Sequence, residues 1–271
     1  MDYRIIFLGT AGGKESIYEQ LRSSGGMILK LGNYQMHLDP GPGALVQAVQ
    51  AGINPRNTNV VLCSHNHVGH CSDVNVLVDA MTFSGLDKRG ILISDKSVVE
   101  GLDNEKPILL EQYKNYLEKV AVVNPGERIK MGTVEIEALQ TRHRCPTAVG
   151  FKFYTARFNL TYTSDTRYFK EMEELYSGSD IIIINNLRPF GSKSDNDSMS
   201  TDDSLKLIKA INPKLAVLTH FSKNMIKENP LYQAREIQKD TKIQTVAAKD
   251  GLVIDLAAHS NSMKQRMLSV Y

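Results

Sequence analysis

The stretch SHNHVGHCSD (Ser64–Asp73) gathers three of the chain's seven histidines, His65, His67 and His70. It follows NVVLCS, an apolar, β-branched run that reads as a strand, so His65 and His67 project from the turn at the strand's C-terminal mouth. Imidazole is the commonest metal ligand, and two histidines one residue apart can point the same way from such a turn. Three other polar residues close apolar runs further on. His143 ends IEALQTRH, Asp165 follows LTYTS, and His220 ends LAVLTH. Each alone is a weak signal, but the joint pattern points to a metal centre built at strand ends.

Apolar runs bounded by Gly, Asn, Asp or Pro recur along the whole chain. Strands are expected at RIIFLG, GMILKL, YQMHL, NVVLCS and GILIS in the first half. In the second half they are expected at RIKM–GTVEIEAL, VGFKFYT–FNLTYTS, DIIIINN, LAVLTHF and IQTVAA–GLVIDL. Met131-Gly132 and Lys249-Asp250-Gly251 read as hairpin turns. Helical periodicity appears at 43–52, 74–83, 108–120 and 201–211, the last with Ser200 and Asp203 placed as a capping pair. The most polar loop is GSKSDNDSMS, 191–200. The class is α/β, with strand-rich halves and helices interspersed.

A chain of 271 residues, 42% hydrophobic and 23% charged, can bury a sizeable core. A formal charge of +2 leaves no broad electrostatic footprint for nucleic acid. The opening MDYRIIFLGTAGG lacks the basic region and longer apolar core of a signal peptide, and no apolar run is long enough to cross a bilayer. Three cysteines, Cys63, Cys71 and Cys145, form no disulfide framework and suit a reducing compartment. A cytoplasmic protein is expected. The glycines of GTAGG and of GPG do not fit a phosphate-binding loop and are expected to serve tight turns.

The order His-x-His-x-x-His, then His143, then Asp165 in SDT, then His220 in LTHFS resembles the metallo-β-lactamase superfamily. HLDPGPGAL, with Asp39 and Gly41, is similar to the Asp-Gly turn of that family. The opening IFLGTAGG, SSGGMILKL and AGINPRNTNVVLCSH resembles its ribonuclease Z-like and cyclic-phosphodiesterase branch. The likeness runs from about residue 4 to residue 256. It implies one domain over 1–271, with 258–271 as a C-terminal tail, and an αββα sandwich of two mixed sheets flanked by helices. It also implies a ligand set: His65, His67 and His143 on one metal, His70 and His220 on another, and Asp165 between the two. Asp165 and His220 would be the catalytic pair. Asp39 is expected to support a ligand or form the turn. The implied cofactor is zinc, one or two ions per chain, with manganese or iron as alternatives. The implied activity is attack by metal-bound hydroxide on a phosphodiester or small ester. A small-molecule substrate, no membrane and a homodimer complete the expectation.

The sequence departs from the family pattern at one ligand. Where the motif carries an aspartate, this chain has Gly69, which can neither bind a metal nor move a proton. Asp73, Cys71 or a water could take its place, although Asp73 reads better as a helix cap and Cys71 as a buried thiol. A second departure is Ser198, near where ribonuclease Z-like enzymes carry a histidine. With no basic arm in the chain, transfer-RNA processing is not expected. Two other classes remain open: a catalytically degenerate metal-binding or scaffold protein, and a mononuclear iron enzyme using His65, His143 and Asp165.

Overall fold

β-Branched and aromatic residues dominate the runs that form strands, and period-two burial shows what each strand faces. The computed structural model of the chain describes residues 2–103, 105–193 and 196–260. Six strands come first: β1 (Asp2–Phe7), β2 (Met27–Gly32), β3 (Tyr34–Leu38), β4 (Thr58–Cys63), β5 (Ile91–Ser94) and β6 (Lys119–Val122). Then follow β7 (Arg128–Met131), β8 (Val134–Gln140), β9 (Val149–Tyr154), β10 (Asn159–Tyr162), β11 (Ile181–Arg188), β12 (Met199–Ser200), β13 (Leu215–Thr219), β14 (Gln244–Ala247) and β15 (Val253–Asp255).

They form two mixed sheets. One has the order β15-β1-β2-β3-β4-β5-β6, antiparallel from β15 to β3 and parallel from β3 to β6. The other has the order β14-β13-β11-β10-β9-β8-β7, parallel from β14 to β10 and antiparallel beyond, with β12 on the end of β11. Ile5, Phe7, Leu29 and Leu62 of the first sheet meet Phe151, Phe153, Ile181 and Ile183 of the second in one shared core. Each such side chain contributes roughly 1.5–3 kcal/mol by leaving water.

The outer faces are covered by helices, giving the αββα layering. Ile182, Ile184 and Leu218 turn outward against Leu207 and Ile208 of the helix Thr201–Ile211 and Ile237 of the helix Pro230–Thr241. Val61 and Leu92 pack outward against Val74 and Val78 of the helix Val74–Thr82. The unbroken IIII of β11 therefore needs no polar alternation, because both of its faces are buried. The expected capping box forms: Asp203 N donates to Ser200 Oγ at 3.3 Å, and Ser200 N donates to Asp203 Oδ2 at 3.1 Å.

Several sequence expectations are corrected. The pattern at 108–120 yields only the helix Glu111–Tyr116, and Lys119–Val122 is the edge strand β6. Lys249-Asp250-Gly251 is not a hairpin, since β14 and β15 lie in different sheets and the segment crosses between them. The crossing is tied down by Asp250, whose carboxylate accepts from Thr10 Oγ1 and Ser23 N, each at 2.7 Å. Gly9, Gly12 and Gly41 serve close approach rather than turns. A Cβ on any of them would lie 2.2–2.3 Å from another segment's backbone oxygen. The expected tail, 258–271, begins within the 3-10 turn Leu256–His259, and residues 261–271 lie outside the described residues, as do 194 and 195 of the polar loop. Among the described residues no helix is long and apolar enough to cross a membrane.

Candidate metal centre

Strand ends from both sheets converge on one edge of the sandwich. Asp39 follows β3, Ser64 and His65 follow β4, His143 lies just past β8, Asp165 just past β10, and His220 directly follows β13. Three of these turns use left-handed backbone at a non-glycine residue: Asp39 (φ 51°), Ser164 (φ 56°) and His220 (φ 63°). Such conformations cost about 1–3 kcal/mol each and persist where surrounding contacts enforce them. Here each breaks the strand sharply beside the cluster.

Two groups of donors result. His65 Nε2 and His67 Nδ1 are 2.9 Å apart, and His67 Nδ1 and His143 Nε2 are 3.1 Å apart. Asp165 completes this group, its Oδ2 being 4.0 Å from His143 Nε2. The second group is His70, Asp165 and His220, with His70 Nε2 at 3.3 Å from Asp165 Oδ2 and His220 Nε2 at 3.2 Å from Asp165 Oδ1. All six residues singled out from the sequence are therefore brought together, with Asp165 belonging to both groups.

The outer hydrogen bonds decide which ring nitrogens carry protons. Asp39 Oδ2 accepts from Ser64 Oγ at 2.8 Å, so the serine hydrogen is committed to Asp39. Ser64 Oγ must then accept from His65 Nδ1 at 3.0 Å, which leaves the His65 Nε2 lone pair facing His67. His143 Nδ1 donates to the carbonyl of Asp197 at 2.7 Å, which turns its Nε2 lone pair inward. His70 Nδ1 donates to Asp39 Oδ2 at 2.8 Å, which turns its Nε2 toward Asp165. Asp39 thus orients His70 directly and His65 through Ser64, the outer role expected for it.

This arrangement fits a divalent cation. An imidazole nitrogen offers one in-plane lone pair or one proton, so His67 Nδ1 cannot satisfy both close neighbours, whereas an ion among the three nitrogens satisfies all of them. Nitrogen spacings of 2.9 and 3.1 Å are near the edge of about 3.3 Å in a tetrahedron with bonds of about 2.0–2.1 Å.

Electrostatics separates the two groups. Burial pushes the His65 imidazole well below its ordinary range. Burial, with His143 beside it, brings His67 down to about 4. His70 goes the other way, to about 10, because Asp165 and Asp39 outweigh the burial that opposes its charge. Asp165 is held well below the usual carboxylate range, its burial being more than offset by His220 and His70.

The remaining candidates fall outside both groups. Gly69 sits in the short helix Val68–Cys71, and a Cβ on it would lie 2.7 Å from Ile17 Cδ1. Asp73 precedes the helix Val74–Thr82 at its cap position, but its side chain makes no cap bond there and lies 3.4 Å from Leu45 N. Cys71 is buried and donates to the His67 carbonyl at 3.3 Å. Ser198 is buried, and its carbonyl accepts from Arg188.

Sequence reasoning missed Ser64, Asn185 and the polar role of Tyr162. Tyr162 OH donates to Asp39 Oδ2 at 2.6 Å and accepts from Asn185 Nδ2 at 3.1 Å, and the same amide donates to Asp165 Oδ1 at 2.7 Å. The one available signal was the abrupt Asn-Asn ending the IIII run of β11.

Residues 34–221 match the model of the beta-lactamase superfamily domain. An uncharacterized protein of Methanocaldococcus jannaschii is 32% identical over 258 residues, covering 94% of this chain and 96% of that protein. Ribonuclease Z of Methanopyrus kandleri is 24% identical over 177 residues, 64% of this chain and 57% of that protein. Among solved structures, the metallo-beta-lactamase fold protein YhfI from Bacillus subtilis superposes with a TM-score of 0.78 at 18% identity, covering 94% of this chain and 99% of that one. The αββα layering, the converging strand ends and the matched family model agree: the chain belongs to the metallo-β-lactamase superfamily.

Proposed function

We propose that the chain is a metal-dependent hydrolase acting on a phosphodiester or similar small ester. His65, His67 and His143 would hold one ion, and His70 and His220 a second, with Asp165 a ligand available to either. The observation that carries this reading is the set of outer hydrogen bonds that turns the Nε2 atoms of His65, His70 and His143 to the centre, where an ion would take the place of the His70 Nε2 proton. An imidazole-rich set with one carboxylate suits zinc, with manganese as the alternative. Bound there, the metal would supply Lewis-acid activation of water and neutralisation of charge developing on the ester.

The chain's own residues hold the geometry. Asp165, kept ionised and largely shielded from solvent, accepts from Asn185 and faces both histidine groups. Tyr162 and Asn185 link that carboxylate back to Asp39, so both carboxylates move as one unit. The three-histidine group speaks against iron oxygen chemistry. His67 lies as close as His65 and His143, leaving no simple two-histidine, one-carboxylate face. The chain's charge of +2 supports a small substrate rather than RNA, despite the ribonuclease Z kinship.

The test is turnover of a phosphodiester and ester panel by chelator-treated protein, before and after adding Zn2+ or Mn2+, with metal content measured in parallel. Chelator-sensitive, metal-restored hydrolysis is expected. Bound metal with no turnover across the panel would leave a binding protein instead.

A further inference from the structure

A cavity of about 270 Å3 opens directly on the metal centre, with His67, His70, Asp165 and His220 forming one wall. The rest of its lining comes from the helix Gly13–Tyr18 and from Val68, Gly69 and Arg144. We propose that this cavity recognises an anionic ester bearing one compact aromatic arm. Lys14 and Arg144 flank the charge, and Ile17, Tyr18 and Val68 receive the arm. The inference rests on the hydrolytic reading above and names its substrate class.

Charge is the first argument. Asp165 is the only carboxylate on the cavity wall, whereas two cations line it. Arg144 is anchored through Nε and Nη2 to Asp197 Oδ2, at 3.1 and 2.7 Å, and Lys14 is exposed with no ion pair among the described residues. The acid on this helix, Glu15, lines a separate cavity with Ser222 and Lys223, and Glu19, which follows Tyr18, is taken by Lys223 at 2.6 Å.

The second argument is apolar. Tyr18 is 69% and Val68 54% exposed, a large loss for side chains of this kind unless something covers them. Both line the same cavity, together with Ile17. Gly69 belongs to this wall as well. A carboxylate there would add a second negative charge to the cavity, and glycine leaves the surface apolar and the net charge favourable to an anion.

Size sets the class. A cavity of about 150 Å3 accommodates benzene, so this one has room for a single ring with a phosphoryl group. Beyond His67, Val68 and Arg144 lies a separate, more polar cavity lined by Asn66, Glu105 and Lys106, which gives a second ester arm its own exit.

The experiment measures calorimetric affinities of phenylphosphonate and methylphosphonate for the full chain incubated with Zn2+, recording metal content for every variant. Phenylphosphonate is expected to bind about tenfold tighter. Tyr18→Ala should bring the two ligands within about twofold of each other, and Lys14→Ala should weaken both alike, by about three- to tenfold. Tyr18 and Lys14 are exposed, so both variants should fold. Equal affinities in the unaltered protein, failure of either phosphonate to bind, or a preference that survives Tyr18→Ala would overturn the inference. A phenyl preference without hydrolysis of any diester would refute the hydrolytic reading and leave this site standing. Turnover without the preference would refute this site alone.

Discussion

Ile17 Cδ1 stands 2.7 Å from the point a Cβ on Gly69 would occupy, so an isoleucine methyl fills the approach that a carboxylate at position 69 would need. The contact is with the far end of a flexible side chain, which a rotamer change of about 1 kcal/mol can relieve. Gly69→Asp should therefore be tolerated and should tighten binding of the second metal, and Gly69→Asp with Ile17→Ala should do so further, by at least about tenfold. Competition with a calibrated zinc chelator reads this directly. No gain in the double variant would mean that a carboxylate at 69 does not reach the His70–His220 group.

Asp39 offers a different kind of control. Its carboxylate accepts from Ser64 N at 2.7 Å, Ser64 Oγ and His70 Nδ1 at 2.8 Å, and Tyr162 OH at 2.6 Å. Asp39→Asn places an N–H against donors and removes the acceptor that sets both histidine tautomers. Metal affinity should fall about 10–100-fold, and stability by about 3 kcal/mol, seen in chelator competition and denaturant unfolding. Unchanged metal affinity would show that Asp39 shapes the turn without orienting the ligands.

Gly12 should separate the two metal positions. A Cβ there would meet the His220 backbone oxygen at 2.2 Å and its Cδ2 at 2.6 Å, and backbone cannot yield as a side-chain tip can. The segment is pinned from both sides, since Phe221 N donates to the Thr10 carbonyl and Gly12 N to the Phe221 carbonyl. Gly12→Ala should displace His220 and reduce bound metal from two equivalents to one, while the His65–His67–His143 group keeps its ion. Two equivalents retained by elemental analysis would count against this separation.

His65, His143, Asp165 and His220 could be read from the sequence because each sits where an apolar run stops and strand ends on one edge of a sandwich must meet, and His67 and His70 because they crowd imidazoles beside His65. Their supports could not. Tyr162 and Asp39 are joined across 123 positions, and nothing local to either residue encodes that bond. β6 was hidden for a local reason: the apolar spacing of ILLEQYKNYLEKV continues the helical period past Tyr116, and only the β5 edge converts Lys119–Val122 to a strand. Lys249-Asp250-Gly251 has the chemistry of a hairpin turn, yet Asp250 is bound to Thr10 and Ser23. Tertiary hydrogen bonds overrode the local preference.

His37 lies behind the centre and gives the fold an acid limit of its own. It is buried, and its Nε2 lies 2.8 Å from the Gly25 carbonyl, to which it donates. Burial brings its pKa down to about 4 against the opposing pull of that carbonyl and of Asp39. In the unfolded chain the ring takes a proton below about pH 6.5, and the folded chain does not follow until about pH 4. The unfolded state thus binds more protons throughout that window. Stability is at its full value above pH 6.5, falls as pH drops, and levels off below pH 4. A gap of about 2.5 units corresponds to about 3 kcal/mol. His37→Gln can still donate to Gly25 and does not titrate, so it should lack this component. Unfolding free energies at pH 7 and pH 4.5, measured with chelator present for both proteins, isolate it, because the other histidines titrate equally in each. The unaltered protein should lose about 2–3 kcal/mol more than the variant, and equal losses would mean that His37 is protonated in the folded chain well above pH 4.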